Sequence, residues 1–241
     1  MRIVALILIY PFVFLWTFIS GLTGMILSII FRARELTLSF VPGKMWAPVI
    51  FWLMGIKVKR EGLENIDPDT PSIFVCNHGS FLDIPACVMK IPVNLNFIAK
   101  KELKKTPVVG WYITATDQIY IDRKNKDRAM ESMAQAAEKI KQGKHVLTYP
   151  EGTRSKDGSI KMFRRGSFII AKEGNIPIIP VAISGANAIL PPGSFFAKRG
   201  NIELSIGEAF RPSDFPEMSV EDLANEARRR VIAMSNDHQE D

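Results

Sequence analysis

Residues 72–83 read SIFVCNHGSFLD. The first five residues are mostly apolar and rich in β-branched and aromatic types, which is typical of a buried strand, and a polar turn follows at Asn77. Ser80 and Asp83, three residues apart, have the spacing of a capping box at a helix N-terminus. The stretch therefore predicts a strand, a turn and the start of a helix, which is the repeating unit of an α/β fold.

The same alternation of strands and helices continues along the chain. Predicted strands are SIFVC (72–76), NLNFIA (94–99), QIYID (118–122), HVLTY (145–149), PIIPVAI (177–183) and IELSIG (202–207). Predicted helices are KDRAMESMAQAAEKIKQG (126–143), with an apolar stripe through Ala129, Met130, Met133, Ala137 and Ile140, and SVEDLANEARRRVIAM (219–234), with Ser219 and Asp222 in capping-box spacing. The pattern predicts an α/β fold with a mostly parallel or mixed central sheet flanked by helices.

The N-terminal segment is apolar and predicts a membrane anchor. No charged residue occurs from Ile3 to Phe31, and as one helix this run would be about 44 Å long at about 1.5 Å per residue. That exceeds the roughly 30 Å thickness of a bilayer's hydrocarbon core. The stretch MWAPVIFWLMGI (45–56) is too short to span, and its tryptophans suit the membrane interface. We interpret residues 1–56 as the anchor, either one tilted span or two helices dipping into one leaflet, and residues 57–241 as the globular domain. The alternative is that these apolar helices cover a hydrophobic core of the protein instead of entering a membrane.

The charge of the chain and the absence of three motifs disfavour nucleic-acid binding and the dehydrogenase, nucleotide-hydrolase and serine-hydrolase classes. The formal net charge is +6, and beside an apolar anchor this favours anionic lipid headgroups over nucleic acid as the partner. Arg32 and Arg34 outnumber Arg2, which places the following domain in the cytoplasm if the first segment spans. The dinucleotide fingerprint, the phosphate loop and the G-x-S-x-G nucleophile elbow are all absent from the sequence. Cys76 and Cys87 have no metal-ligand spacing, so we expect no metal.

His78 and Asp83 form a candidate base and its orienting partner. On a continuous helix, residues five apart point about 140° away from each other. The two side chains can meet if His78 lies in the turn and Asp83 in the first helical turn. A carboxylate on one ring nitrogen would fix the tautomer and leave the other nitrogen basic. The same residues could instead be a capped turn without chemistry.

Cationic side chains follow several of the predicted strands. YPEGTRS (149–155) carries Arg154, whose planar guanidinium suits phosphate, IYIDR (119–123) ends in Arg123, and Lys100 follows another strand. Open α/β sheets bind ligands near such strand ends. Each cation alone is more often a solvated surface residue, but together they predict an anion-binding site beside the candidate base.

Four blocks in order resemble the glycerolipid acyltransferase family, most closely its bacterial 1-acylglycerol-3-phosphate acyltransferases. NHGSFLD is similar to the family's N-H-x-x-x-x-D block, and IYIDR to the block that ends in a substrate-contacting arginine. YPEGTRS resembles F-P-E-G-T-R-S with Tyr149 in place of Phe, and IPIIPVAISG (176–185) resembles the apolar block with a central proline. The resemblance covers roughly residues 60–210.

The resemblance implies transfer of an acyl chain from acyl-CoA or acyl carrier protein to the sn-2 hydroxyl of lysophosphatidic acid, which gives phosphatidic acid. It implies that His78 removes the hydroxyl proton, that Asp83 orients His78, and that Arg154 and Lys100 hold the phosphate. The implied acceptor-binding positions are Lys100, Arg123, Glu151, Gly152, Thr153 and Arg154. No cofactor is implied besides the acyl-CoA or acyl carrier protein co-substrate.

The implied partners are the lipid bilayer, lysophosphatidic acid and the acyl donor, and we expect no nucleic acid. The expected location is the inner membrane, with the acyltransferase domain (57–241) on the cytoplasmic face. Two alternatives stay open at this point. One is an enzyme of the same family that acts on another lysolipid or on glycerol 3-phosphate, and the other is a non-catalytic, basic, peripheral membrane-binding module.

Overall fold

The computed structural model describes residues 5–122 and 125–235. Within these residues one seven-stranded sheet has the order β1-β7-β6-β2-β5-β3-β4. The strands are β1 (Ile56–Glu61), β2 (Ile73–Cys76), β3 (Leu95–Lys100), β4 (Ile119–Ile121), β5 (His145–Thr148), β6 (Ile178–Ser184) and β7 (Gly200–Ile206). Neighbours are parallel except β6 and β7, which run antiparallel. The prediction of an α/β fold with a mostly parallel or mixed central sheet is confirmed, and the sheet is mixed.

Helices cover both faces of the sheet. They are α1 (Tyr10–Ile29), α2 (Arg34–Phe40), α3 (Ala47–Met54), α4 (Asp83–Lys90), α5 (Val109–Ala115), α6 (Lys126–Lys141), α7 (Gly166–Gly174), α8 (Ala186–Ile189) and α9 (Val220–Met234). Alternate side chains of β2 enter two separate cores, Ile73 and Val75 on one face and Phe74 and Cys76 on the other. The first core is closed by α6, α7 and α9, and the second by α3 and α4. Because both faces are buried, the central strands are continuously apolar, as their sequences predict.

Both predicted helices are present, but the buried face of α6 differs from the one that the sequence predicts. Helix α9 begins with the predicted capping box, in which Ser219 Oγ accepts from the Asp222 N–H and the Asp222 carboxylate accepts from the Ser219 N–H. In α6 the predicted stripe is partly wrong, because Met130 is exposed and Ala136 is fully buried. The buried side of α6 is therefore centred closer to Ala136 than the sequence pattern predicts.

Strand β1 is an element that the sequence analysis missed. It pairs in parallel with β7 and forms one edge of the sheet. Ile56 is buried and Val58 half-buried, while Lys57, Lys59 and Arg60 are exposed. Charged side chains are common on edge strands because they oppose pairing with further strands. The sequence of β1 does alternate between apolar and polar residues. The alternation is short and follows an apolar helix after one residue, so it did not predict a strand.

The N-terminal segment forms two long helical units. A π-helical turn at Ala5–Ile9 leads into α1, and a π-helical turn at Val41–Trp46 joins α2 to α3. Ile7–Ile29 and Arg34–Met54 are each long and apolar enough to cross a membrane, with mean hydropathies of 1.9 and 1.3. By this measure the second unit is longer than the 45–56 stretch that the sequence analysis considered too short to span. Length and composition of this kind also occur in core helices and signal sequences.

Helix α1 packs against the remainder of the protein along a stripe of small residues. Ser20, Gly24 and Ser28 are buried, and Gly24 lies so close to the Tyr112 ring on α5 that a Cβ atom would clash. Trp16 Nε1 donates to the Met45 carbonyl at 3.2 Å, and Trp46 Nε1 returns a bond to Thr17 Oγ1 at 3.0 Å. The two N-terminal helical units are therefore joined to each other and to α5.

A single residue, Gly55, connects α3 to β1. Gly55 ends the helix in a left-handed conformation with φ of 66°, which glycine adopts without the steric cost of a Cβ atom. Its N–H still bonds to the last turn of α3, and Ile56 already pairs with β7. The apolar helices thus lead into the sheet without a linker.

Candidate active site

The turn after β2 is tied to the neighbouring strand β6 by one side chain. Asn77 Nδ2 donates to the Ile183 carbonyl at 2.9 Å, and the Ile183 N–H donates to Asn77 Oδ1 at 2.8 Å. The side-chain amide of Asn77 therefore makes the two hydrogen bonds to Ile183 that the backbone would make if strand β2 continued. This pairing sets the position of the next residue, His78, at the carboxyl end of the central strands.

His78 and Asp83 meet, because the chain breaks between strand and helix. His78 Nδ1 lies 2.7 Å from Asp83 Oδ2, and Asp83 is almost completely buried at the start of α4. The same Oδ2 accepts the N–H groups of Gly79 at 2.9 Å and Ser80 at 2.8 Å. The predicted capping box is not formed, because α4 begins at Asp83 with Leu82 as its N-cap and without a side-chain cap. One carboxylate oxygen of Asp83 instead joins the His78 ring to the backbone of the turn before α4.

The opposite ring nitrogen of His78 is available. Nε2 has no hydrogen-bond partner within residues 5–122 and 125–235, and 15% of the side chain is exposed. The ring stacks on Tyr149, with centroids 4.2 Å apart and planes at 26°. A carboxylate on Nδ1 favours the tautomer that carries the proton there, which leaves a lone pair on Nε2. This arrangement leaves Nε2 able to accept a proton, with the ring held between a carboxylate and an aromatic side chain.

Glu151 is buried and binds the backbone of the turn that carries His78. One carboxylate oxygen accepts the His78 N–H at 2.7 Å, and the other accepts the Lys161 N–H at 3.1 Å. Burial raises the pKa of Glu151, and the two backbone N–H groups oppose that rise because they stabilise the ionised form. Glu151 therefore joins the turn of His78 to residue 161.

Asn187 joins the turn that carries His78 to the segment that follows β5. Its Nδ2 donates to the Gly79 carbonyl and to the Ser155 carbonyl, each at 3.0 Å, and the Ser155 N–H donates to the His78 carbonyl at 2.8 Å. The sequence analysis did not identify Asn187. Its one sequence signal is its place just after β6, at the sheet edge that also carries His78.

Arg154 lies beside the catalytic pair with part of its hydrogen-bonding capacity unused. Its guanidinium stacks on the Phe81 ring at 3.5 Å, and the buried Nη1 has no partner in the described part of the chain. Burial lowers the pKa of Arg154, and the charge of Asp83 partly offsets this effect. Asp83 Oδ1 is likewise buried without a partner. A planar cation with a free edge at this position is suited to an anionic ligand.

The other predicted substrate positions are more peripheral. Lys100 is exposed at the end of β3, with Nζ 3.5 Å from Glu102, and Thr153 is exposed on the turn after β5. Gly152 has φ of 74°, a conformation that few other residues adopt. Arg123 lies outside the described residues.

No metal centre is formed in the described part of the chain. Within residues 5–122 and 125–235, no group of three or more histidine, cysteine or acidic side chains is placed to hold an ion. Cys76 and Cys87 are free and buried. Burial raises the pKa of the Cys76 thiol well above its ordinary value, so this thiol is a packing residue at neutral pH.

This fold and site define a family of enzymes. Residues 57–184 match the model of the acyltransferase family, and they include the catalytic turn, β5 with its following turn, and β6. The match covers more than half of the chain, so the protein belongs to the acyltransferase family.

Named relatives are similar over most of this chain. A chloroplastic 1-acyl-sn-glycerol-3-phosphate acyltransferase of Arabidopsis thaliana is 31% identical over 190 residues, which are 78% of this chain and 51% of the relative. The 1-acyl-sn-glycerol-3-phosphate acyltransferase of Saccharomyces cerevisiae is 28% identical over 217 residues, which are 88% of this chain and 71% of the relative. The chain thus spans about half the length of the chloroplast relative.

A solved structure extends the similarity to the whole fold. The crystal structure of the 1-acyl-sn-glycerophosphate acyltransferase PlsC from Thermotoga maritima superposes with a TM-score of 0.73 at 30% sequence identity. The superposition covers 95% of this chain and 88% of that chain, so it includes most of the N-terminal helices as well as the sheet.

Proposed function

We propose that this protein transfers an acyl chain from a thioester donor, acyl-CoA or acyl carrier protein, to the sn-2 hydroxyl of lysophosphatidic acid, which forms phosphatidic acid. The observation that carries the proposal is the His78 ring, bound to Asp83 through Nδ1 and without a partner on Nε2 in the described residues. The names of the relatives and of the Thermotoga maritima structure support lysophosphatidic acid as the acceptor.

The proposed step is a direct acyl transfer. His78 Nε2 removes the hydroxyl proton while the hydroxyl oxygen attacks the thioester carbonyl carbon. The carbon–sulfur bond then breaks, and the departing thiolate takes the proton from the imidazolium. Asp83 stabilises that imidazolium, and the backbone N–H groups of Gly79 and Ser80 hold the carboxylate in place. Because a thioester is already activated, a positioned base contributing about 10²–10⁴-fold is a substantial part of the rate.

Arg154 is our candidate for the acceptor phosphate, with Lys100 as a second cation. Nη1 of Arg154 is buried and unpartnered in the described residues, which is costly unless a ligand completes it. We assign Glu151 a positioning role, since both of its oxygens already bind backbone N–H groups. Gly152 and Thr153 shape the turn, and Arg123 remains a predicted contact.

The N-terminal helices are proposed to hold the domain at a bilayer. Helix α1 exposes large apolar side chains along its length, including Phe14 at 80% and Phe18 at 46%. An exposed apolar surface of this kind is characteristic of a lipid interaction site. The net charge of +6 adds attraction to anionic headgroups. We propose the cytoplasmic face of the inner membrane, where a domain of this charge meets lysophosphatidic acid.

The decisive test is an acyltransfer assay with purified protein, lysophosphatidic acid and acyl-CoA. His78→Ala is expected to lower kcat by about 10²–10⁴-fold, because the general base is lost. Lys141→Ala, which changes an exposed residue of α6, serves as the control and is expected to keep full activity. Near-complete activity of His78→Ala would contradict the mechanism, and the absence of transfer by the parent protein would support a non-catalytic membrane-binding module.

The phosphate assignment has its own measurement. Arg154→Ala is expected to raise KM for lysophosphatidic acid by about tenfold or more, since a charge-assisted bond to phosphate is lost. A panel of lysophosphatidic acid, other lysolipids and glycerol 3-phosphate identifies the acceptor. An unchanged KM for every phosphate-bearing acceptor would remove Arg154 from phosphate binding.

A further inference from the structure

A cavity lies at the carboxyl ends of β3, β4 and β5, on the face of the sheet opposite the N-terminal helices. Its volume is about 200 Å³. It is bounded by the ends of β3, β4 and β5 and by helices α6 and α7, and residues lining it include Ile98, Ile121, Met133, Thr148, Tyr149 and Arg164. Ile98, Ile121 and Met133 belong to the core closed by α6, α7 and α9, whereas α3 packs on the other core.

Polar groups without partners converge on this mainly apolar space. Thr148 Oγ1 is buried, with the residue 5% exposed, and has no hydrogen-bond partner in the described residues. Helix α7 starts at this cavity, and within the described chain the N–H groups of Gly166 and Ser167 have no acceptor. A buried hydroxyl without a partner is costly, and free N–H groups at a helix N-terminus favour an anion.

Arg164 supplies a cation at the same place. Its side chain has no ion pair or hydrogen bond within residues 5–122 and 125–235. It packs against Gly152 so closely that a Cβ atom on residue 152 would lie 2.6 Å from Arg164 Nε. The next residue, Arg165, is different because it lies 3.8 Å from Glu221. Because Gly152 has no side chain, the Arg164 guanidinium can lie against the turn after β5, where both residues line the cavity.

We propose that this cavity binds a phosphate-bearing chain of a substrate, specifically the phosphopantetheine arm of the acyl donor. The inference rests on the proposed acyltransferase function. The arm is common to CoA and acyl carrier protein, and it combines a phosphate with a narrow chain that suits apolar walls. Arg164, Thr148 and the N-terminus of α7 bind its phosphate and polar groups.

The placement of the cavity favours the donor over the lipid acceptor. The acceptor's acyl chain belongs with the apolar N-terminal helices, which pack on the opposite side of the sheet. Tyr149 connects the two sides, because it lines the cavity and also stacks on the His78 ring. The proposal therefore runs the donor arm from the cavity past Tyr149 towards His78, so that the two substrates reach the base from opposite faces.

Three variants test the proposal. Arg164→Ala is expected to raise KM for acyl-CoA about tenfold and to weaken binding of free CoA and of 4′-phosphopantetheine by a similar factor in calorimetry. Thr148→Val, nearly the same in shape, is expected to weaken CoA binding about fivefold, while thermal stability stays equal or rises. Arg165→Ala is the matched control, and its donor constants are expected to remain those of the parent protein.

The readouts separate the possible failures. Unchanged CoA binding in both Arg164→Ala and Thr148→Val would overturn the site. A raised KM for lysophosphatidic acid, with unchanged donor constants, would assign the phosphate to the acceptor and overturn the donor assignment. If the parent protein transfers no acyl group, the proposed function fails, and the calorimetric CoA titrations still decide whether the cavity binds a phosphate-bearing chain.

Discussion

At the scale of single residues, Asp83 Oδ2 concentrates three hydrogen bonds on one atom, from the His78 ring and from two backbone N–H groups. The sequence could predict that His78 and Asp83 meet, because the break between strand and helix is visible in residues 72–83. It could not show that the oxygen bound to the His78 ring also accepts two backbone N–H groups of the preceding turn. Asn187 was not predictable at all, because its bonds to Gly79 and Ser155 form only once β6 lies beside β2.

Glu151→Gln tests the positioning role at this scale. A glutamine amide offers one acceptor oxygen, and its NH₂ group would face a backbone N–H that needs an acceptor. We expect the free energy of unfolding to fall by about 1–3 kcal/mol, because a buried donor is left unpaired. Activity should fall as well, since the His78 backbone loses its support.

Chemical denaturation and the acyltransfer assay measure both effects, and Glu217→Gln, an exposed substitution, is the control. Full activity together with parental stability in Glu151→Gln would show that the turn of His78 holds its place without this carboxylate.

At the scale of elements, the helices and strands that could be predicted are those with a clear local sequence pattern. The central strands are apolar throughout and bounded by turn residues, so their positions could be predicted from the sequence. Strand β1 could not, because its short alternation of Ile56, Lys57 and Val58 follows the apolar helix α3 after one residue. The same limit applies to α6, whose buried side depends on the neighbouring helix α7.

The capping box of α9 gives a prediction for one element. Ser219→Ala removes the acceptor of the Asp222 N–H and should lower the free energy of unfolding by about 1 kcal/mol. Leu223, Ala227 and Val231 keep the helix packed on the core, so the fold and the activity should persist. Urea denaturation compares this variant with Ser213→Ala, an exposed control, and equal midpoints for the two would argue against the cap.

At the scale of the whole molecule, two features lay beyond the sequence. One is the antiparallel pairing of β6 with β7, which makes the sheet mixed. The other is the attachment of the N-terminal helices to α5 through Gly24 and Tyr112. Both depend on contacts between distant parts of the chain, for which short patterns hold no signal. Composition alone did indicate the first apolar unit and residues 45–56 of the second, but it did not show that the second unit begins at Arg34.

The pH dependence of global stability should report on His145. Burial lowers the pKa of this histidine, although the Pro68 carbonyl and the charge of Asp67 act in the opposite direction. The unfolded chain therefore binds more protons below the ordinary histidine pKa of about 6.5, so stability should fall as the pH decreases from 7.5 to 5.5. His145→Gln should flatten this slope in denaturation series at fixed salt, and an identical slope in both proteins would exclude His145 as its source.

Gly55 has a mechanical consequence, since it is the one residue between α3 and β1. A catalytic unit on a flexible tether could reach down into the lipid, but here the height of His78 above the apolar helices is fixed by the fold. For the proposed acyl transfer at a bilayer, this fixed position predicts that the acceptor hydroxyl moves to His78, rather than His78 to the hydroxyl.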